Sequence, residues 1–350
     1  AIGYVSNATG IDSISIGRST AATAVNVVAI GTGASSASGN AVAIGLGSTV
    51  TAGGVAIGKT AVAHSGVAIG SGASAVLGTA ATAIGLNSLA SGSQSIALGV
   101  SSVSSNSNST AIGSAANATK SGAFAAGVNS QAIGQYSNAL GASASASNTG
   151  TTALGTSTVA SGTSATAVGQ GATASGASST SIGAGATSSA IQATALGPNS
   201  TASAARATAV GSYAVASSDR AIAIGRNASA TTSANVIAIG TSCTASGVNA
   251  IAVGRIATAS GDRAIAVGYG AASTNTVTLA IGAQSIASSF GSAALGWFSQ
   301  ASGIKDVALG YGANSSGAYG VSIGKSTIAS NTDAISIGHN ALASSNRSIA

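Results

Sequence analysis

Bulky and small residues alternate along this chain in short runs, each ended by a glycine. Asn40, Ala41, Val42, Ala43, Ile44 and Gly45 form one such run, and the pattern returns with 25 glycines from Gly3 to Gly338. Of the 24 intervals between them, 20 are 14 residues; the others are 13, 12, 15 and 15. The residue before the glycine is Ile, Leu or Val in 24 of 25 repeats, with Ala126 the exception. The residue two before is always Ala or Ser. The residue three before is usually Val, Ile or Thr, as in Val42, Ile96, Thr166 and Ile265. A period of two, with many β-branched side chains, predicts a strand rather than a helix.

A second short pattern follows each glycine. The third residue after it is Ala, Ser, Thr or Cys, and the fifth is Ala or Ser except at Val50. The fourth varies freely: Asn7, Val62, Leu89, Gln131, Thr173, Gln300. This is a second strand with one small face and one free face. Turn pairs such as Ser161 with Gly162 and Ser260 with Gly261 follow it. Each repeat therefore predicts strand, turn, strand, turn, one coil of a parallel β-solenoid. A fixed short period is the mark of a stack whose coils are stable only against their neighbours. With coils about 4.8 Å apart, 24 of them predict a rod on the order of 115 Å.

The free face of the second strand is expected in water and its small face inside. The first strand is restricted on both faces, and a coil of 14 residues leaves little interior width. The Ala/Ser row is therefore assigned inward, and the aliphatic row outward. That row is expected to be buried against other chains, because a soluble monomer tolerates exposed apolar patches of only a few hundred Å². The residues so assigned are Ile16, Ile30, Val42, Ile44, Ile57, Ile69, Ile84, Leu98, Ile112, Ile224, Ile239, Ile265, Ile281, Ile323 and Ile337. The opposite assignment, with Ile inside, has to explain why the outer row would then never exceed Ala or Ser.

Composition narrows the function. Charged residues are 5% of the chain, with no Glu and no Met. Ordinary soluble proteins carry about 25%. So little charge with so much Gly, Ser and Ala suits a disordered linker, but linkers keep no hydrophobic beat. The net charge of +6 is spread thinly, with no run of Lys or Arg, so no nucleic-acid partner is expected. Cys243 has no partner for a disulfide and reads as a small interior residue. No secretory leader and no apolar run of membrane-spanning length is visible, so no membrane contact is expected. The chain starts and stops in mid-repeat and reads as one continuous domain, 1–350, excised from something longer.

The hexads Asn40–Gly45, Gln94–Gly99, Arg220–Gly225 and Asn249–Gly254 resemble the Asn-Ser-Val-Ala-Ile-Gly signature of Yersinia adhesin A-like heads, which belong to the trimeric autotransporter adhesins of Gram-negative bacteria. The resemblance covers essentially all 350 residues. It implies a left-handed parallel β-roll, a parallel homotrimer and attachment at the bacterial cell surface. Host matrix proteins of the collagen, fibronectin or laminin class, cells or abiotic surfaces are the implied ligands. The family's stalk, neck and C-terminal outer-membrane anchor are not seen in these residues. Two departures stand out. The intervals of 13, 12 and 15 between Gly45 and Gly85 predict altered loops. The half-period pair Ile133 and Gly134, next to Ala126, predicts a locally distorted coil.

Binding is expected in the variable slots. The slot after the motif glycine holds Tyr4, Arg18, Lys59, Arg226, Arg255, Tyr269, Trp297, Tyr311, Lys325 and His339. Trp297 and Phe298 are adjacent aromatics in a chain with 3% aromatics, read either as an exposed anchor or as a subunit contact. The slot five before the glycine holds Arg206, Arg220, Arg263, Lys305 and Arg347. Charges in both slots also suit a sparsely charged rod that must stay soluble and resist sideways aggregation. Asp219 with Arg220 and Asp262 with Arg263 suggest rim ion pairs between subunits. No enzyme is expected: His64 and His339 lie about 19 coils apart, the five Asp are scattered, and no metal-ligand or nucleotide-loop spacing occurs. No cofactor is expected either. Two other classes compete with the adhesin. An ice-binding solenoid needs a regular Thr ladder, and Thr173, Thr187 and Thr201 give way to Val215 and Ser229. A passive fibre segment needs no binding slots at all.

Overall fold

The computed structural model describes residues 1–350, less the side chains at positions 77 and 78. Among the described residues it forms 47 strands, all paired in parallel, and no helix. The chain divides into two units, Ala1–Ser175 and Gly176–Ala350, each a parallel β-solenoid. Within each unit the first strand of a coil pairs with the first strand of the next, and the second with the second. Ile222↔Ile237, Ala223↔Ala238 and Ile224↔Ile239 show the register for the first strand. Ser229↔Thr244 and Ala230↔Ala245 show it for the second.

The inside is built from small residues, as the alternation predicts. In the coil of Gly225, Ala223, Ala228 and Ala230 are fully buried, and so is Ala221, four before the glycine. That makes four inward rows rather than three. The sequence reading missed the fourth because its occupants range from Ala and Ser to Thr, Val, Gly and Asp. The largest buried aliphatics are Val27, Val50 and Val236, so nothing bulkier than Val fits.

The aliphatic row points out of the chain. Ile224, Ile239 and Ile281 keep 38%, 37% and 38% of their surface in water. Ile16, Ile84, Ile112 and Ile337 are likewise exposed. Ile30, Val42, Ile44, Ile57, Ile69, Leu98, Ile265 and Ile323 are partly so.

Each coil turns twice, and the two turns are alike. Ala228 N–H closes the first onto the Gly225 carbonyl at 3.2 Å, and Ala250 N–H closes the second onto Gly247 at 3.0 Å. The third residue of each turn is left-handed, as in Asn227 (φ 55) and Asn249 (φ 56). The 14-residue coil is thus two seven-residue halves, with the position seven after the motif glycine equivalent to the glycine itself. This corrects the expected distortion near Gly134. That residue occupies the equivalent position of the second half, and Ala125↔Ala139 and Ala126↔Leu140 pair in regular register. Coils approach closely at the motif glycines: at Gly85 φ is 137° and a Cβ would lie 2.4 Å from the Gly99 carbonyl oxygen.

The irregular intervals do change the loops. In the 12-residue coil after Gly58 the second turn disappears and one strand runs through Val62–Ile69. The next coil runs through Ser74–Ile84 with two register shifts. The extra residue between Gly225 and Gly240 is absorbed at Thr231–Ser233, where Ser233 N–H bonds the Thr231 carbonyl at 2.9 Å.

Candidate binding surface

The two turns give each unit two edges, one after the motif glycine and one in the other half of the coil. Arg18 and Lys59 stand exposed on the first edge of the N-terminal unit. Between and beyond them that edge carries exposed Leu46, Leu86, Val100 and Val128.

In the C-terminal unit the same edge is aromatic and basic, and it brings most of the expected binding residues together. Arg226, Arg255, Tyr269, Trp297, Tyr311, Lys325 and His339 are all exposed. Their coils hydrogen-bond in sequence along the edge: Gly270 N–H to Arg255, Gln284 N–H to Tyr269, Gly312 N–H to Trp297 and Ser326 N–H to Tyr311. The Arg255 guanidinium lies 5.6 Å from the Tyr269 ring centre, within cation–π range. Trp297 stacks on Phe298 at 5.3 Å, and Tyr311 meets both edge-on at 5.7 and 6.3 Å. These three rings remain about half exposed, at 55%, 42% and 48%. Phe298 sits at the left-handed turn position, φ 57, where a side chain costs about 1–2 kcal/mol over glycine. The coils on either side place Gln284 and Gly312 at this position.

The other edge of the C-terminal unit mixes signs. Asp219 and Arg220 pair within the chain at 3.4 Å, and Arg347 reaches Asp333 at 3.8 Å. Both pairs are solvated and worth little. Asp262 does not pair with Arg263 within the chain; its carboxylate accepts the Val248 N–H at 2.9 Å. Lys305 lies 5.6 Å from the Tyr319 ring centre.

Two titratable groups lie inside. Burial pushes the Cys243 thiol above its ordinary pKa, against the opposing effect of its own backbone N–H. Its Sγ donates to the Gly240 carbonyl at 3.1 Å, the position taken by Ser hydroxyls such as Ser285 at Gly282. Asp306 occupies the fourth inward row, fully buried, so the expectation that the acids are merely scattered missed its environment. Burial raises its pKa, while the N–H groups of Gly320 and Gly303 pull the other way. The signal was available, because Asp306 falls in register with Ala264 and Ala334.

A notch of about 340 Å³ opens where the second turn is missing, lined by Gly53, Gly54, Ser65, Gly66, Ala80 and Thr82 among others. It holds no charged group. Among the described residues no three His, Cys, Asp or Glu side chains gather as a metal site requires.

None of the curated proteins searched matches the chain. The family described as YadA head domain repeat (2 copies) matches ten segments: 1–20, 8–34, 77–102, 132–158, 160–186, 188–214, 216–242, 245–271, 301–327 and 329–350. Three longer stretches are left unmatched, 35–76, 103–131 and 272–300; the first contains the shortened coils. The matched segments span well over half of the residues, and with the coil geometry they establish that this chain belongs to the YadA head repeat family.

Proposed function

We propose that this chain is the head of a trimeric autotransporter adhesin, held at a bacterial outer membrane and attaching the cell to host matrix proteins, cells or other surfaces. The observation that carries the reading is the outward aliphatic row. In a lone chain Ile224, Ile239 and Ile281 each leave more than a third of their surface in water. Such a row, repeated coil after coil, exceeds what a soluble monomer tolerates. A parallel copy of the same row is its natural cover, and rotational symmetry closes the assembly. Membership of the YadA head repeat family supports the same conclusion.

Attachment then works by repetition. Each coil offers a weak contact, and many coils on three chains raise avidity without any one strong site. Arg18, Lys59, Arg226, Arg255, Tyr269, Trp297, Phe298, Tyr311 and Lys325 are the exposed residues proposed to contact ligand, and collagen, fibronectin or laminin the proposed ligand class. The ice-binding alternative is weaker. Thr180, Thr194 and Thr208 stack in register, but the row continues as Ile222, so no extended Thr lattice forms.

Light scattering across a dilution series tests the assembly. A stable species near three times 32.0 kDa is expected. A folded species at the mass of one chain would sink the proposal. The assembled head should then be captured on immobilised collagen, fibronectin or laminin; capture on none of them, nor on cells, would favour a passive fibre segment.

A further inference from the structure

We infer that the edge after the motif glycines in the C-terminal unit is a docking track for an acidic polysaccharide. The chain of sugars lies along the coils, with ring faces against Trp297, Phe298 and Tyr311 and acidic groups held by Arg255 and Lys325. The inference rests on the adhesin-head reading and names the ligand class of one of its surfaces.

Charge is the first argument. In this unit the acids avoid the edge. Asp219, Asp262 and Asp333 stand on the opposite edge among Arg220, Arg263 and Arg347, and Asp306 is buried. The track carries Arg226, Arg255, Lys325 and His339 and no acid, so an uncompensated positive line faces solvent. Its complement is an anion.

Shape is the second. The groups stand in single file, one turn per coil. That suits an extended polymer rather than a compact ligand. Coils about 4.8 Å apart advance at a pace close to that of sugar rings in an extended polysaccharide. The exposed aromatics offer apolar faces to the C–H faces of pyranose rings.

Charge density is the third, and it separates polysaccharide from nucleic acid. Arg226 and Arg255 are two coils apart, and Arg255 and Lys325 five, or roughly 10 and 24 Å at the strand spacing. Duplex DNA presents a charge about every 1.7 Å. Cations so sparse, with aromatics between them, match a polymer whose acidic groups are separated by uncharged ring faces.

The test uses the assembled head, with hyaluronan, which carries one carboxylate per disaccharide, as the immobilised probe and dextran and a single-stranded oligonucleotide as competitors. Retention on hyaluronan is expected, weakening with salt and resisting dextran. The double variant Trp297→Ala with Tyr311→Ala should bind about tenfold more weakly. Arg255→Ser with Lys325→Ser should bind more weakly and with a shallower salt dependence. Lys120→Ser, which removes a charge from the other unit, should change nothing. All variants should keep native mass and strand content.

No retention on hyaluronan would overturn the inference. So would equal losses in Lys120→Ser, unchanged binding in the aromatic variant, or stronger competition by the oligonucleotide than by soluble hyaluronan. A fall in native mass on removing Trp297 and Tyr311 would make them a subunit contact and overturn it too. Capture on collagen, fibronectin and laminin is run in parallel. Matrix capture without hyaluronan binding would overturn this inference alone, whereas hyaluronan binding without matrix capture would count against the matrix ligands proposed above.

Discussion

Asp306 accepts the N–H of Gly320 in the next coil at 2.8 Å, and its other carboxylate oxygen accepts Gly303 N–H at 2.7 Å. A carboxylate thus sits in a row that elsewhere holds Ala, Ser, Thr, Val or Gly. Gly303 makes room for it: a Cβ there would lie 2.4 Å from Asp306 Oδ2 and 2.7 Å from Asp306 Cγ. Charged groups are almost never fully buried unless paired or hydrogen-bonded, and here two backbone amides serve that need.

The folded unit therefore holds the Asp306 proton more tightly than the unfolded chain does. Because burial raises the folded pKa, this group's cost to stability is absent below the ordinary carboxylate pKa. The cost grows as pH rises through the window up to the raised value, and is complete above it. Melting of the chain and of Asp306→Ser, compared from roughly pH 3 to 7, should show a decline with pH in the parent that the variant lacks. Parallel curves would remove Asp306 from the account.

Gly85→Ala should destabilise its neighbouring coils strongly. The backbone there, φ 137°, is a region nearly closed to side chains, and the new Cβ would meet the Gly99 carbonyl oxygen at 2.4 Å. The conformational strain alone is about 1–3 kcal/mol. Hydrogen exchange is the suitable measurement, since a stack of coils opens locally. Protection lost only around Gly85 and Gly99 is expected; unchanged protection would contradict the close approach.

Inward and outward slots should answer differently to the same side chain. Ala209 is fully buried, and Ala209→Leu overfills a row that elsewhere takes nothing larger than Ala or Ser. A loss of about 1–3 kcal/mol or more is expected from thermal unfolding. Its neighbour Thr208 points outward, in register with Ile222, and Thr208→Leu should leave the fold of the chain intact. Equal damage from both would reverse the assignment of faces.

Cys243 should resist alkylation by a thiol reagent in the native protein and react fully once unfolded. Its burial, raised pKa and bond to Gly240 all work against the thiolate. Rapid labelling of the folded protein would show that this coil opens. Cys243→Ser should be nearly silent in stability, because Ser285 and Ser299 make the same bond to their own glycines.

Much of the architecture was legible in the residues alone. Spacing gave the coil, alternation gave two strands per coil, and the limit of Ala and Ser at two rows told which faces meet inside. Those features are local and repeat in every coil, so pattern is enough to find them. Others depend on how the coil closes. The inward row holding Ala221 and Asp306 was hidden because its occupants vary, and only the position of the second turn makes it interior. Gly134 looked like a disturbance until the equivalence of the two half-coils placed it at an ordinary turn. The grouping of Arg255, Tyr269, Trp297 and Tyr311 on one edge was foreseen from register, but not their mutual stacking, nor the separation of that edge from Asp219, Asp262 and Asp333. Periodicity sets which residues share a column. Side-chain packing and turn geometry, which are tertiary, decide what each column faces.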